Sequence, residues 1–247
     1  MDTFWQVTLF TLAGFGGGLV GSVAGLASLV SYPALIALGV PPITANATNT
    51  VALVFGGIGS TLGSRPELVR QGPRLKRLGG AAVLGGLTGG LLLLITPASA
   101  FEKIVPFLIG SASILILLPR PKAMAHRAAD GATLMVATFA INIYGGFFGA
   151  AAGVLMLATL LTFTGDSLPR SNALKGALMA MSNSIAAVTF VIAGTVDWLA
   201  LPPLAFGCLL GGRLGPVVVR RAPVPALKWV IAVGGMGLAV SLAVKAY

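Results

Sequence analysis

Residues 16–25 read GGGLVGSVAG and residues 145–153 read GGFFGAAAG. In both strings glycines recur at every fourth position, at Gly17, Gly21 and Gly25 and again at Gly145, Gly149 and Gly153. On a helix this spacing makes one smooth stripe, which lets a second backbone come close and permits the chain to unwind. The same motif in two places is the signature of an internal repeat. The repeat continues downstream, where Asn46-Ala47 in ANATNTVALVFGG is matched by Asn172-Ala173 in SNALKGALMAMSNS.

The surroundings of these strings set the solvent. Of 247 residues, 56% are hydrophobic and 9% are charged, against about 25% charged in a soluble domain. A bilayer core of about 30 Å is crossed by roughly 20 apolar residues in a helix. The sequence predicts membrane segments near 4–20, 22–39, 46–63, 78–96, 104–118, 131–148, 150–165, 172–194, 198–217 and 228–245. The first pair and the pair after Asp130 are broken by glycines instead of a polar loop. The expected fold is an all-α polytopic membrane protein with Gly-rich broken helices. Residues 1–120 form a first transmembrane repeat, 121–130 a basic cytoplasmic linker and 131–247 a second repeat.

A net charge of +10 could point to nucleic acid, but the basic residues lie in loops between apolar spans, so nucleic acid is not an expected partner and the lipid bilayer is. Arg65, Arg70, Arg74, Lys76 and Arg77 form one cluster, Arg120, Lys122 and Arg127 a second, and Arg213, Arg220, Arg221 and Lys228 a third. Short cytoplasmic loops collect Lys and Arg. Equivalent loops of the two repeats carry opposite charge bias, which predicts two inverted-topology repeats, as in many secondary transporters; a parallel duplication is the competing arrangement.

Several chemistries are poorly served. One cysteine, Cys208, allows no internal disulfide, and one histidine, His126, leaves no triad or histidine-based metal site to assemble. No GxxxxGK[ST] string is present. Neither a cofactor nor an enzymatic activity is expected. All six acids lie in loops or at segment ends, which disfavours proton-coupled cation transport and leaves anion uniport as the simplest cycle.

Polar side chains inside apolar helices are costly unless they meet a partner or a cavity. Asn46 and Asn49 share one helix face at i, i+3 spacing, and Asn172 and Lys175 share the corresponding face in the second repeat. With Asn183 further along, and with Gly21, Gly25, Gly149 and Gly153 at the breaks, they form the expected substrate site. There an anion would meet half-helix N-termini and the Lys175 charge. Asn142 and Tyr144, beside Gly145, are expected as secondary contacts.

At this point the chain resembles the sulfite exporter TauE/SafE family of membrane transporters. The resemblance runs through SYPALIALGVPPITANATNTVALVFGGIGS, GSRPEL, FEKIVPFLIGSASILIL, IYGGFFGAAAGVLMLATL, NALKGALMAMSNSIAAVTFVIAGTVDW and LAFGCLLGGRLG. It implies a helical carrier of the bacterial inner membrane that exports sulfite, sulfoacetate or a related organosulfonate. An anion channel of the same fold, or a carrier for another small organic anion, is the alternative. The family's broken helices and helix starts fall on the glycines and on the Asn and Lys residues named above. Pro66 and Glu67 depart from the tyrosine–arginine type of end that the family suggests for this helix. Oligomeric state is not legible.

Overall fold

In a computed structural model, residues 3–117 and 131–221 are described, together with 236–237, 240 and 243–244. The expected linker 121–130, the basic loop Arg120 to Arg127 and nearly all of the segment expected at 228–245 lie outside the described residues. The described chain is helical, in the order α1 (Thr3–Ala24), α2 (Ser28–Ala37), α3 (Pro42–Gly63), α4 (Arg65–Leu68), α5 (Gly72–Ile95), α6 (Ala98–Leu117), α7 (Gly131–Phe147), α8 (Ala152–Thr164), α9 (Leu168–Ile192) and α10 (Leu201–Arg221).

Proline opens several of these helices, and Pro202 stands second in α10. Helices α3, α4, α5 and α9 carry it in the first two positions, where the missing N–H costs nothing and the fixed φ suits the helix. Four helices, α1, α5, α9 and α10, are long and apolar enough to cross a bilayer. Large side chains such as Leu12, Ile58, Leu84, Ile95, Phe107, Val136, Ile192 and Phe206 stand exposed along the helices, as lipid-facing positions do. The protein is an all-α, multi-pass membrane protein.

Lipid removes the hydrophobic reason for helices to associate, so close packing has to hold them. Here the glycines supply it. A Cβ on Gly14 or Gly18 of α1 would lie 2.1 or 2.3 Å from the carbonyl oxygens of Leu204 and Cys208 on α10. A Cβ on Gly85 or Gly89 of α5 would lie 2.5 or 2.0 Å from those of Phe139 and Ile143 on α7. The two sequence halves interlock through these contacts. Helix α10 packs on α1 and α3, while α5 packs on α7 and α9. Exchanging α1 with α7, α3 with α9 and α5 with α10 maps one set of contacts onto the other.

The contacts also fix the sense of each helix. Numbers rise together along α1 and α10, from Gly14 against Leu204 to Ser22 against Gly215, and along α3 and α10, from Gly56 against Cys208 to Gly63 against Arg213. They rise together along α5 with α7 and α5 with α9 as well. They run oppositely where α3 crosses α9, with Gly57 on Ala180 and Ser60 on Gly176. Helices α1, α3 and α10 therefore point one way, and α5, α7 and α9 the other.

One face of the molecule gathers the basic residues of α4, the start of α5 and the end of α10. Arg220 donates to both oxygens of Glu67, at 2.7 and 3.0 Å, and to the Gly63 carbonyl at 2.7 Å, which joins the ends of α3 and α10. Arg74 at the start of α5 pairs with Asp166 just before α9. Gly131, which opens α7, lies against the Arg77 guanidinium. Near the other end, the buried rings of Tyr32, Phe101 and Phe148 meet edge-on, with centroids 5.2 Å apart for Tyr32 and Phe148 and 5.9 Å for Phe101 and Phe148.

Candidate functional site

The first repeat's break is an elbow between α1 and α2. Gly25 takes φ +81°, a left-handed conformation that a side chain would oppose. The second elbow joins α7 to α8 through Gly149 at φ +76° and Ala151 at φ +71°. The two elbows touch, since a Cβ on Gly153 would fall 2.6 Å from the Gly25 Cα and one on Gly25 would fall 2.4 Å from the Gly153 carbonyl carbon. Only glycine permits that approach.

Around this contact lies a cavity with about 680 Å³ of empty space, its open mouth included. It brings together Gly21, Gly25, Gly149, Gly153, Lys175 and Asn183, six of the residues expected at the site. The N-termini of α2 and α8 both open onto it, at Ala27 and Ser28 and at Ala152 and Gly153. The N–H groups of Ala27, Ser28 and Gly153 have no acceptor among the described residues. A helix start with free N–H groups is a ready anion site, and here two of them converge.

Asn46, Asn49 and Asn172 are buried and do not line this cavity. Asn46 Nδ2 donates to the Phe147 carbonyl at 2.8 Å, and Asn172 Nδ2 to the Ser22 carbonyl at 2.9 Å. Each therefore reaches from the third helix of its own half to the end of the broken helix in the other half, and satisfies a carbonyl that the break leaves without its helical donor. Asn49 Nδ2 donates to Ser28 Oγ at 3.0 Å, and Asn49 Oδ1 accepts from Ser31 Oγ at 2.5 Å.

Lys175 is buried, and its Nζ donates to the carbonyls of Gly21 and Ser22, at 3.0 and 3.1 Å, and to Asn172 Oδ1 at 2.9 Å. A cation at the C-terminal carbonyls of α1 also offsets the negative end of that helix's dipole. The ammonium thus pins the broken end of α1 in the cavity wall. Asn183, half-buried, makes no hydrogen bond among the described residues and lines the cavity. The expected secondary contacts are elsewhere. Asn142 Nδ2 donates to the Thr138 carbonyl and the Tyr144 hydroxyl to the Ala150 carbonyl, and neither residue lines the cavity.

Sequence reasoning missed Ser22, Ser28 and Ser60, which also line it. The Ser22 and Ser60 hydroxyls bond one another at 2.9 Å beside Lys175. Ser28 had a legible signal, as a serine three residues past a helix-breaking glycine where a new helix must begin. Among the described residues no three His, Cys, Asp or Glu side chains cluster as a metal site requires.

Comparison with known proteins agrees with this architecture. Residues 10–242 match the family described as "Sulfite exporter TauE/SafE". The "Probable membrane transporter protein YfcA" of Escherichia coli (strain K12) is 29% identical over 207 residues, which cover 82% of this chain and 76% of that one. A "Probable membrane transporter protein" of Haemophilus influenzae is 27% identical over 83% of this chain and 82% of its own length. The "Probable membrane transporter protein ORF9" of Sinorhizobium sp is 26% identical over 97% and 93%. No solved structure matches. A multi-pass helical chain whose match spans nearly its whole length is a membrane transporter, and it belongs to the sulfite exporter TauE/SafE family.

Proposed function

We propose that this transporter exports a small sulfur-containing anion, sulfite, sulfoacetate or a related organosulfonate, by alternating access. The observation that carries the reading is the meeting of two helix N-termini, one from each half, in a single glycine-walled cavity. Their free N–H groups favour an oxyanion, and the buried Lys175 ammonium adds positive potential where the dielectric is low. Among the described residues no carboxylate lines the cavity to repel such a ligand. The family supports the sulfur-containing class. With about 100 mV inside negative, each exported charge gains about 2.3 kcal/mol, so outward movement needs no coupling ion.

The halves are an inverted-topology pair in this reading. The opposed sense of α1, α3 and α10 against α5, α7 and α9 supports it, because each helix then runs opposite to its repeat partner. Such a pair builds the site at the repeat interface, and rocking there exposes it to each side in turn.

The test is a stability screen of purified protein against sulfite, sulfate, thiosulfate, sulfoacetate, taurine and acetate, followed by flux in proteoliposomes. A ligand of the native state raises apparent stability. A shift with sulfite or sulfoacetate, joined to saturable flux of the same anion, is expected. Current without saturation would make the protein a channel, and a shift with acetate alone would move the substrate out of the sulfur class.

A further inference from the structure

The anion reading leaves open which side chain meets the ligand, since the expected Asn46, Asn49 and Asn172 stand behind the wall. We propose that Ser28 is the side-chain hydrogen-bond donor to the transported oxyanion, and that Asn49 positions it without touching the ligand. This rests on the anion-transport reading above and deepens it.

Ser28 is 3% exposed and lines the cavity at the first residue of α2, beside its own unbonded N–H. Its Oγ accepts from Asn49 Nδ2 at 3.0 Å, while its hydroxyl proton has no acceptor among the described residues. A serine in a helix usually spends that proton on the carbonyl one turn back. Here it does not, so Oγ accepts from Asn49 while its proton stays available to a ligand. Across the cavity stands the second elbow, with the Cβ position of Gly149 3.7 Å from Ser28 Oγ. An oxyanion in the cavity would have the Ser28 hydroxyl and the free N–H groups of Ser28 and Gly153 in its lining.

Asn49 fixes the direction of that donor. It is fully buried and absent from the cavity lining; Ser31 Oγ, which also lies 3.0 Å from the Ala27 carbonyl, donates to its Oδ1 at 2.5 Å, and Nδ2 is turned to Ser28. With an N–H already pointed at it, the Ser28 oxygen turns its own proton away from Asn49, toward the cavity. A ligand that offers only acceptors suits this arrangement, and an ammonium does not. The second repeat has Ala152 and Gly153 at its helix start, so the hydroxyl is supplied from the first repeat alone.

The experiment measures affinity of purified full-length protein for sulfite and sulfoacetate by calorimetry, in wild type, Ser28→Ala, Ser28→Thr, Asn49→Ala and the double variant. A charge-assisted hydrogen bond lost without replacement should weaken binding about tenfold or more in Ser28→Ala, and Ser28→Thr, which keeps the hydroxyl, should restore most of it. Asn49→Ala should weaken binding in the wild-type background and add nothing in Ser28→Ala, because it acts through that serine. Asn49→Ser serves the same cycle if Asn49→Ala is not recovered folded. Unchanged affinity in Ser28→Ala overturns the donor assignment, and equal losses from the Asn49 change in both backgrounds overturn its positioning role. Failure of wild type to bind either anion overturns the anion reading itself, and that is seen before any substitution is made.

Discussion

The contact between the elbows separates two costs that glycine usually hides together. Gly153 lies in α8 with no left-handed backbone, so Gly153→Ala meets only crowding. Its Cβ would sit 2.6 Å from the Gly25 Cα and 2.8 Å from the Gly25 carbonyl oxygen. An ordinary contact is about 3.5–4.0 Å, so two backbones must part by about 1 Å, and overpacking of this kind costs about 1–3 kcal/mol. Gly39 is the converse case, at φ +88° with nothing within 4 Å of a Cβ. Gly39→Ala meets only the left-handed penalty, about 1 kcal/mol. Gly25→Ala meets both, at φ +81° and with its Cβ 2.4 Å from the Gly153 carbonyl carbon, and should cost about 2–5 kcal/mol. Thermal stability of the three purified variants should therefore fall in the order Gly39→Ala least and Gly25→Ala most. Anion binding should fall in Gly153→Ala and Gly25→Ala while Gly39→Ala keeps it, since only the first two spread the helix starts that face the cavity. If Gly39→Ala proves as harmful as Gly153→Ala, strain and not close approach governs the elbows, and the reasoning fails.

Other outcomes follow from the same geometry. Lys175→Gln removes the charge while keeping a donor near the Gly21 and Ser22 carbonyls, and should weaken anion binding by about 1–3 kcal/mol with a smaller effect on stability; unchanged affinity in calorimetry would reduce Lys175 to a structural pin. Asn46→Ala and Asn172→Ala each remove the donor to a carbonyl at a broken helix end, and should lower stability by about 1–3 kcal/mol on heating. Arg220 holds the Glu67 carboxyl below its ordinary value of 4.5, so the pair contributes fully above that pH and its contribution is lost as the pH falls below it. Stability of wild type should thus decline on acidification more than that of Glu67→Gln, measured across pH 6 to about 3. Cysteines placed at Arg70 and Asp166 should react with an impermeant reagent from one side of the membrane and a cysteine at Leu199 from the other, tested in a Cys208→Ser background; reaction of all three from one side would break the assignment of helix sense.

The helices were legible where hydropathy and proline agree, and less so at their ends. The segment expected at 22–39 divides, with α2 beginning only at Ser28, because Gly25 turns the chain out of the helix. The segments expected from 46 and 172 begin earlier, at Pro42 and Leu168, since a helix starts at its proline and not where apolar residues take over. Helix α6 likewise opens at Ala98, through the polar Glu102 and Lys103 that shortened the apolar window. The short α4 had no signal in hydropathy at all. At the site, the glycine stripes, Lys175 and Asn183 could be read from the sequence, because a polar or side-chain-free position in an apolar helix needs a reason. What Asn46, Asn49 and Asn172 do could not. Spacing shows that two residues share a face of a helix, but whether that face meets a cavity or the end of a neighbouring helix is decided by tertiary packing.

The two halves of the sequence solve the same problem with different side chains, and the difference puts a lysine on one side of the cavity only. A helix broken inside the membrane leaves carbonyls without donors in a solvent that supplies none. Asn46 and Asn172 answer this alike, each reaching into the opposite half. One turn further on, Asn49 and Lys175 occupy matching positions and diverge. Asn49 stays within its own half and holds Ser28, whereas Lys175 crosses to the end of α1. Had both positions been lysine, two like charges would share one low-dielectric cavity at a cost no carbonyl could offset. Had both been asparagine, nothing would give the cavity a net charge from this pair. A single lysine supplies one positive charge, hydrogen-bonded to the Gly21 and Ser22 carbonyls and to Asn172, and in the proposed arrangement the ligand is left to the short donors of Ser28 and the backbone. In the proposed export cycle such an arrangement would attract an anion without locking it into a direct ion pair, as a carrier that must also release its cargo requires.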